Sequence, residues 1–328
     1  MNRIEQDPEL TTSLLDVAVT RLEDDLGFEG ALLMAKLAET AKRTDLVSRF
    51  YPYTLTKRGD RAFPLYQSWG EYLMKVEEYE KAIEVWKAAI KEVRLNSYRH
   101  IFLSRLADAQ VEIEQFDDAL QAVKQARALN DSDQLHFQEA WIHYRAHQDD
   151  EAIALFEEFR VKEGTIPTLN RSAHLLLSNL YVQKGDVANG EKVLEDLIKF
   201  DPENPTVNND LGYLYADQGK NLEDAEKMIR KAVAAEPENA AYLDSLGWVL
   251  FKLGKYEEAI THLEKAIGIL EEGDPTIWNH LGECYHALNK EEEAQKAWNT
   301  ALTNEKASEK PNQKLIEELE AKLSKENE

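Results

Sequence analysis

The chain has 328 residues, of which 43% are apolar and 31% charged, and its 39 basic and 62 acidic side chains give a net charge of −23. This acidity repels phosphate backbones and anionic lipid surfaces, so we expect neither a nucleic-acid partner nor membrane insertion. The single cysteine, Cys284, excludes a disulfide within the chain, and no apolar run reaches the length of a membrane span.

The chain begins with a predicted amphipathic helix. Over residues 9–26, apolar residues recur at the three- and four-residue spacing of one buried helical stripe. Residues 28–62 carry the same spacing and predict a divergent helix pair, although Pro52 falls inside its second helix, where proline should break or kink the chain. We expect the first helix to cover the open face of this pair.

From residue 63 to residue 308 a pattern of paired helices repeats with a period near 34 residues. Its clearest marks are Leu211-Gly212-x-x-Tyr215, Leu246-Gly247-x-x-Leu250 and Leu281-Gly282-x-x-Tyr285, each followed by a small residue that opens a second helix. A larger side chain at these small positions would overpack the crossing of the two helices. Asp201-Pro202 and Asp274-Pro275 each place a capping acid before a proline and predict helix starts. Seven copies start near Phe63, His100, Asp133, Arg171, Pro205, Ala240 and Pro275.

This pattern resembles the tetratricopeptide repeat (TPR), a helix-turn-helix unit with a W-x2-L-G-x2-Y, A-x3-F, A, P signature. The resemblance implies an all-α fold, a right-handed α-solenoid of TPR repeats with terminal capping helices. We expect an N-terminal helix and divergent repeat at 1–62, seven repeats at 63–308, and a capping region at 309–328 with a charged helix over 311–325. Because a solenoid buries its core between neighbours, no domain boundary is required. The longest joint, Val161 to Asn170, is the expected flexible point.

No catalytic signature supports an enzyme. The chain lacks the glycine-rich phosphate loops, the H-E-x-x-H motif and paired C-x-x-C motifs, so we expect no cofactor and no catalysis. One remote alternative is a metal-binding enzyme that uses the stripe of His136, His143 and His147, since the latter pair has the i, i+4 spacing of metal ligands. The ordinary interpretation is that these histidines are satisfied core residues.

The resemblance separates core positions from groove positions. In TPR arrays the concave face is lined by the second, fifth, ninth, twelfth and thirteenth residues of each first helix. Trp141 and Trp248 fall at ninth positions, where the repeat gives them no packing role. Carried onto this chain, the predicted groove residues are Asn179, Asn209, Tyr213, Asp217, Asp244, Trp248, Phe251, Asn279, Glu283 and His286, with Trp141 and Tyr144 upstream.

These residues predict a protein or peptide partner. Aromatic anchors dominate binding energy and amides can satisfy an extended backbone, while Asp217, Asp244 and Glu283 favour a basic or neutral segment with aromatic or apolar neighbours. The alternative is that Trp248 and Tyr213 pack against each other or against a neighbouring helix.

Two further questions stay open at the level of sequence. The chain is expected to act as a scaffold, but it could be the recognition arm of a larger enzyme or of a secretion or envelope assembly. It is expected to be cytoplasmic as given; residues 205–302 are similar to the C-terminal array of longer bacterial TPR proteins, and a fragment of such a protein could be exported or periplasmic. A monomer is slightly favoured.

Overall fold

The computed structural model describes residues 7–20, 22, 26–57, 61–161, 167–270 and 273–325. Over these residues the chain is all-α, which confirms the predicted class, with no strand among them. The residues group into two compact units, Met1–Ala173 and His174–Glu328, and the division falls inside one helix, at a place that the repeat pattern does not mark.

The helices follow one another with short turns. The N-terminal ones are α1 Pro8–Thr20, α2 Gly27–Thr40, α3 Thr44–Thr56, α4 Ala62–Lys75, α5 Tyr79–Lys91, α6 Arg99–Glu112, α7 Phe116–Leu129, α8 Asp133–Arg145 and α9 Asp149–Val161, with a 3₁₀ turn at Val93–Tyr98. They are followed by α10 Pro167–Gln183, α11 Val187–Phe200, α12 Pro205–Asp217, α13 Leu222–Ala235, α14 Ala240–Lys252, α15 Tyr256–Ile269, α16 Pro275–Ala287, α17 Glu291–Ala307 and α18 Gln313–Lys325.

Within each unit, helices pack in pairs and each pair packs on the next. In the second unit α12 pairs with α13, α14 with α15 and α16 with α17, while the first helices α12, α14 and α16 also contact one another in series. The first helices from α4 onward begin within a residue of the predicted repeat starts except α10, which begins about one turn before Arg171. Within the second unit, side chains on the shared face of α12, α14 and α16 can therefore form one continuous surface.

Glycine at the eighth position of a first helix allows the close approach that the sequence predicts. A Cβ added to Gly247 of α14 would lie 2.5 Å from Leu263 Cγ on α15, and one added to Gly212 of α12 would lie 2.7 Å from Ile229 Cγ1 on α13. Neither distance is compatible with a real methyl group, so the second helix packs directly against the glycine backbone.

One of the two predicted caps is correct. The Asp274 carboxylate accepts a hydrogen bond from the Thr276 backbone N–H at 2.7 Å, as an N-cap residue should. The prediction for Asp201-Pro202 was wrong, because α11 ends at Phe200 and the next helix begins only at Pro205. There Asn204 is the cap, and its side chain accepts from the Val207 N–H at 3.2 Å.

The N-terminal elements differ from expectation at Pro52. Helix α1 contacts both α2 and α3, and its Leu15 is fully buried. Helix α3 does not break at Pro52 but continues to Thr56. Pro52 lies on the exposed side of the helix, where water can bond the carbonyl that lacks a partner N–H, while Phe50 and Tyr51 beside it are fully buried. Packing of the opposite face therefore outweighs the local defect.

The joint predicted between Val161 and Asn170 is shorter than expected, since α9 reaches Val161 and α10 begins at Pro167. The expected flexible point within it, residues 162–166, lies outside the described residues. At the C-terminus α18 packs on α17 and buries Leu319 completely. Among the described residues, none of the helices combines the length and the apolar composition that crossing a bilayer requires.

Candidate functional site

The first candidate site is a groove of about 730 Å³ in the second unit. It is lined by α10, α11, α12 and α14, by the end of α15 and by the start of α16. Four of the predicted groove residues line it, namely Asn179, Asn209, Tyr213 and Asp244.

The groove contains an amide that is not satisfied by the protein. Asn209 is only 7% exposed, and its Nδ2 donates to Asp210 Oδ1 at 3.2 Å. Its carbonyl oxygen Oδ1 is buried and has no hydrogen-bond partner among the described residues. An unsatisfied buried acceptor costs about 1–3 kcal/mol, which a ligand with an N–H donor would recover.

Asp210 also lines this groove, and the sequence prediction missed it. Burial raises the pKa of its carboxyl, and the only opposing influence is the hydrogen bond from Asn209. A comparison of the sixth residues of the first helices could have identified Asp210. This position is an acid in α12, whereas it is Ser245 in α14 and His280 in α16. The repeat frame gives that position no groove role, so the acid was not considered.

The groove is negatively charged. Besides Asp210, the carboxylates of Glu238, Asp244 and Asp274 line it, and the described lining residues include no lysine and no arginine. Asp244 shares a hydrogen bond with His280, whose Nδ1 lies 2.8 Å from its Oδ1. Burial, followed by the charges of Asp217 and Asp244, raises the pKa of Tyr213, so its hydroxyl stays neutral and able to donate.

Apolar side chains line the same groove. Ile269 and Leu270, at the end of α15, are 39% and 37% exposed although both are large aliphatic residues. Leu175 and Val182 of α10 also line the groove. The groove therefore presents both carboxylates and apolar surface, which suits a segment that carries a cation beside aliphatic groups.

Trp248 packs more than the sequence indicated. Its ring stacks on His280 of the next repeat, with 4.2 Å between the ring centroids, and on Phe251 at 5.1 Å. Its Nε1 donates to Asp217 Oδ1 at 3.3 Å, and the Lys252 ammonium lies 4.4 Å from the ring centroid. The expectation that this tryptophan has no packing role was wrong, because it joins consecutive repeats. None of these residues lines the 730 Å³ groove.

Two of the three predicted groove residues of α16 contact the chain's own C-terminal helix. The Lys322 ammonium donates to Asn279 Oδ1 at 2.9 Å and lies 2.6 Å from Glu283 Oε1. His286, the third predicted residue of this helix, has its Nδ1 2.9 Å from Glu291 Oε2. The last repeat therefore already pairs its acid with a lysine of this chain, which the sequence did not predict.

The first unit has a second groove of about 580 Å³, lined in part by Trp141. Its polar groups are paired within the protein: the Gln138 amide donates to Asp108 Oδ1, and Arg105 lies 3.8 Å from Asp108 and 3.7 Å from Glu71. The Arg145 guanidinium lies 5.1 Å from the Trp141 ring centroid. The other predicted residue here, Tyr144, is half-buried and does not line this groove.

The three histidines of the metal hypothesis do not converge. His136 Nε2 lies 2.6 Å from Asp131 Oδ1 and 3.0 Å from an Arg127 nitrogen, and His143 Nδ1 lies 2.6 Å from Gln148 Oε1. His147 has a φ of 54° and lies in the turn after α8. In the part of the chain that the structure describes, no three His, Cys, Asp or Glu side chains are grouped so that they could hold a metal ion. His136 and His143 are therefore partnered by side chains of the protein, as in the ordinary interpretation of this stripe.

Comparison with known families agrees with the paired helices and close-packed glycines. Tetratricopeptide-repeat models match residues 104–165 and 181–248, and the model described as the anaphase-promoting complex, cyclosome, subunit 3 matches residues 218–301. The chain is a tetratricopeptide-repeat protein. No curated protein matches the sequence significantly.

Solved structures with the same type of fold include a TPR protein from Parabacteroides merdae, which aligns with 79% of this TPR chain and 97% of its own at 15% identity and a TM-score of 0.59. MamA MSR-1 and MamA from Desulfovibrio magneticus RS-1 align with 53% and 54% of the TPR chain and 97% of their own, at 24% and 18% identity and TM-scores of 0.42 and 0.45. At 15% identity the likeness to the Parabacteroides structure concerns the fold alone, a TPR α-solenoid.

Proposed function

We propose that this TPR protein is a non-catalytic interaction scaffold that binds a segment of a partner protein in the groove of its second unit. The observation that carries the proposal is the lining of that groove, in which four carboxylates and exposed aliphatic side chains occur without a lysine or arginine among the described lining residues. A groove of about 730 Å³ lies within the range of about 300–1,000 Å³ that binding sites usually have.

The preferred segment is basic and carries an apolar or aromatic residue beside its cation. Asp210 and Asp244 would attract the cation, and Ile269 and Leu270 would contact its apolar neighbour. Tyr213 offers a neutral hydroxyl and an aromatic face beside them. The net charge of −23 would also speed the approach of a basic partner, because long-range attraction raises association rates.

The charge pairing in the two units favours the second one as the binding site. In the first unit Arg105 lies between Glu71 and Asp108, and Arg145 lies 3.8 Å from Glu112. The acids of that surface thus have cationic neighbours in the protein itself. In the second unit a ligand would supply the cation.

A displayed library of random peptides, selected on the 328-residue chain, tests the proposal. We expect enriched peptides to combine Lys or Arg with aliphatic or aromatic residues, and to bind less tightly as salt rises, because exposed charges are screened over about 8 Å at physiological ionic strength. Asp244→Lys should weaken the selected peptides at least about ten-fold, since it places a like charge at the site.

The matched control is Asp224→Lys on α13, which changes net charge equally at an exposed acid that does not line the groove. It should leave peptide affinity within about two-fold, because its carboxylate is separated from the groove and screened. Selection of acidic peptides, or equal affinity of the wild type and Asp244→Lys, would contradict the proposal.

A further inference from the structure

Two asparagines occupy equivalent positions in two repeats of the second unit. Asn209 is the fifth residue of α12, which begins at Pro205, and Asn279 is the fifth residue of α16, which begins at Pro275. Both are 7% exposed. The contact made by one of them therefore serves as a guide to what the other position can accept.

In α16 this asparagine binds a lysine. The Lys322 ammonium donates to Asn279 Oδ1 at 2.9 Å and is paired with Glu283 at 2.6 Å, and its side chain is 22% exposed. The aliphatic residues around it anchor its helix, since Leu319 is fully buried and Leu323 packs beside it on the core formed with Trp298. The recognised unit is thus a lysine flanked by leucines, held by the Asn279 carbonyl oxygen, by the Glu283 carboxylate and by Glu318 of its own helix, whose Oε1 lies 2.5 Å from the ammonium.

In α12 both Asn209 and Asp210 line the groove. The carbonyl oxygen of Asn209 is buried and has no hydrogen-bond partner among the described residues. Asp210 supplies a carboxylate next to this amide, because its Oδ1 accepts a hydrogen bond from Asn209 Nδ2 at 3.2 Å. No cation contributes to the shift of the Asp210 pKa, which burial raises. Both helices thus carry an amide oxygen at the fifth position and a carboxylate nearby, which is the ninth residue, Glu283, in α16 and the sixth residue, Asp210, in α12.

We propose that Asn209 and Asp210 form a receptor for the ammonium group of one lysine in a partner protein segment, with large aliphatic residues on either side of that lysine. The proposal rests on the proposed function, because it assumes that a polypeptide enters this groove. A lysine suits the site better than an arginine, because an ammonium is a compact donor that one amide oxygen and one carboxylate can accept, whereas a guanidinium requires a planar, two-pronged partner. Ile269 and Leu270 provide exposed aliphatic surface in the same groove.

The chain's own C-terminal helix supplies a probe. A peptide with the sequence of residues 313–325, blocked at both ends, contains three lysines and three glutamates and is therefore neutral, so it will not bind this acidic protein through net charge alone. This peptide is titrated into the 328-residue chain, and binding is followed by the NMR signal of the Asn209 side-chain amide. Two modified peptides carry an Nε-acetyl group, one at Lys322 and one at Lys314, and so have equal net charge.

The unmodified peptide and the peptide acetylated at Lys314 should shift the Asn209 amide signal with similar affinity. Acetylation at Lys322 should weaken binding about ten-fold or more, because a hydrogen bond to a charged group is lost. Asp210→Asn should weaken the unmodified peptide to the same extent, whereas Asp224→Asn, the control with equal charge change, should not. The peptide comparison needs no variant, so it remains valid if Asp210→Asn fails to fold.

No shift of the Asn209 amide with the unmodified peptide at millimolar concentration overturns the receptor. So does equal binding of the two acetylated peptides, or full affinity of a folded Asp210→Asn variant. If library-selected peptides still depend on Asp244 in that case, the groove function stands and only the lysine receptor is wrong. If no selected peptide depends on Asp244, the groove function itself is wrong.

Discussion

Replacement of Trp298 by alanine tests whether the last repeat is stabilised by a close-packed core. The indole is 2% exposed and packs against Gly282, whose added Cβ would lie 2.3 Å from Trp298 Nε1. Burial of about 150–250 Å² at about 25 cal/mol per Å² corresponds to about 4–6 kcal/mol, of which alanine keeps a part. The indole N–H is buried without a partner among the described residues, so its removal relieves about 1 kcal/mol. We expect a net loss of about 3 kcal/mol in the free energy of unfolding of α16 to α18.

Trp248→Ala is the comparison variant. This half-buried ring stacks on His280 and Phe251, and it does not pack against a glycine at a helix crossing as Trp298 does. Loss of these stacked contacts should cost about 1–2 kcal/mol. Hydrogen exchange read by mass spectrometry resolves the effect helix by helix, which a melting curve of a repeat protein does not. A loss below about 1 kcal/mol for Trp298→Ala, or equal losses for both variants, would refute the assignment of Trp298 to the core.

Three further predictions follow from the packing and the charges. Gly247→Ala should lower the free energy of unfolding by about 1–3 kcal/mol, because its Cβ would meet Leu263. Gly268→Ala on α15 should raise the free energy of unfolding by up to about 1 kcal/mol, because no described atom lies within 4 Å of an added Cβ there. Urea titration of both variants measures the contrast. Burial raises the pKa of Asp108 to about 6, against an ordinary value near 4, so the folded state binds the proton more tightly than the unfolded one. Stability of the first unit should therefore fall as pH rises from about 4 to about 6, and Asp108→Asn should flatten that slope in urea titrations at several pH values; an unchanged slope would count against a buried carboxyl. Amide exchange should be slower in α12 to α17 than in residues 27–56, since each repeat is stabilised by its neighbours and the latter helices carry a proline, and uniform protection would contradict this gradient.

Much of the fold could be predicted because the repeat places small residues where helices cross. A Cβ added to Gly212, Gly247 or Gly282 would lie less than 3 Å from a side chain of the second helix, so the spacing of these glycines marks the helix crossings. The effect of Pro52 was overestimated because proline destabilises only the helical turn around it. Burial of Phe50 and Tyr51 stabilises the whole helix and outweighs that defect.

The site could be predicted only in part. Positions such as Asn209, Tyr213 and Asp244 follow from the repeat frame, since they depend on which face of a first helix they occupy. The position of Lys322 could not, because the capping helix lies outside the periodic pattern and its contact with Asn279 joins residues 43 apart in sequence. Asp210 was missed because the repeat frame lists the groove positions typical of TPR proteins, and the sixth residue of a first helix is not among them.

The structure of the 328-residue chain bound to a library-selected peptide tests the central claim most directly. We predict that the peptide lies along α10, α12 and α14, with a lysine ammonium about 3 Å from Asn209 Oδ1 and an aliphatic neighbour against Ile269 and Leu270. A peptide bound on the second helices, or in the groove of the first unit beside Trp141, would contradict the account.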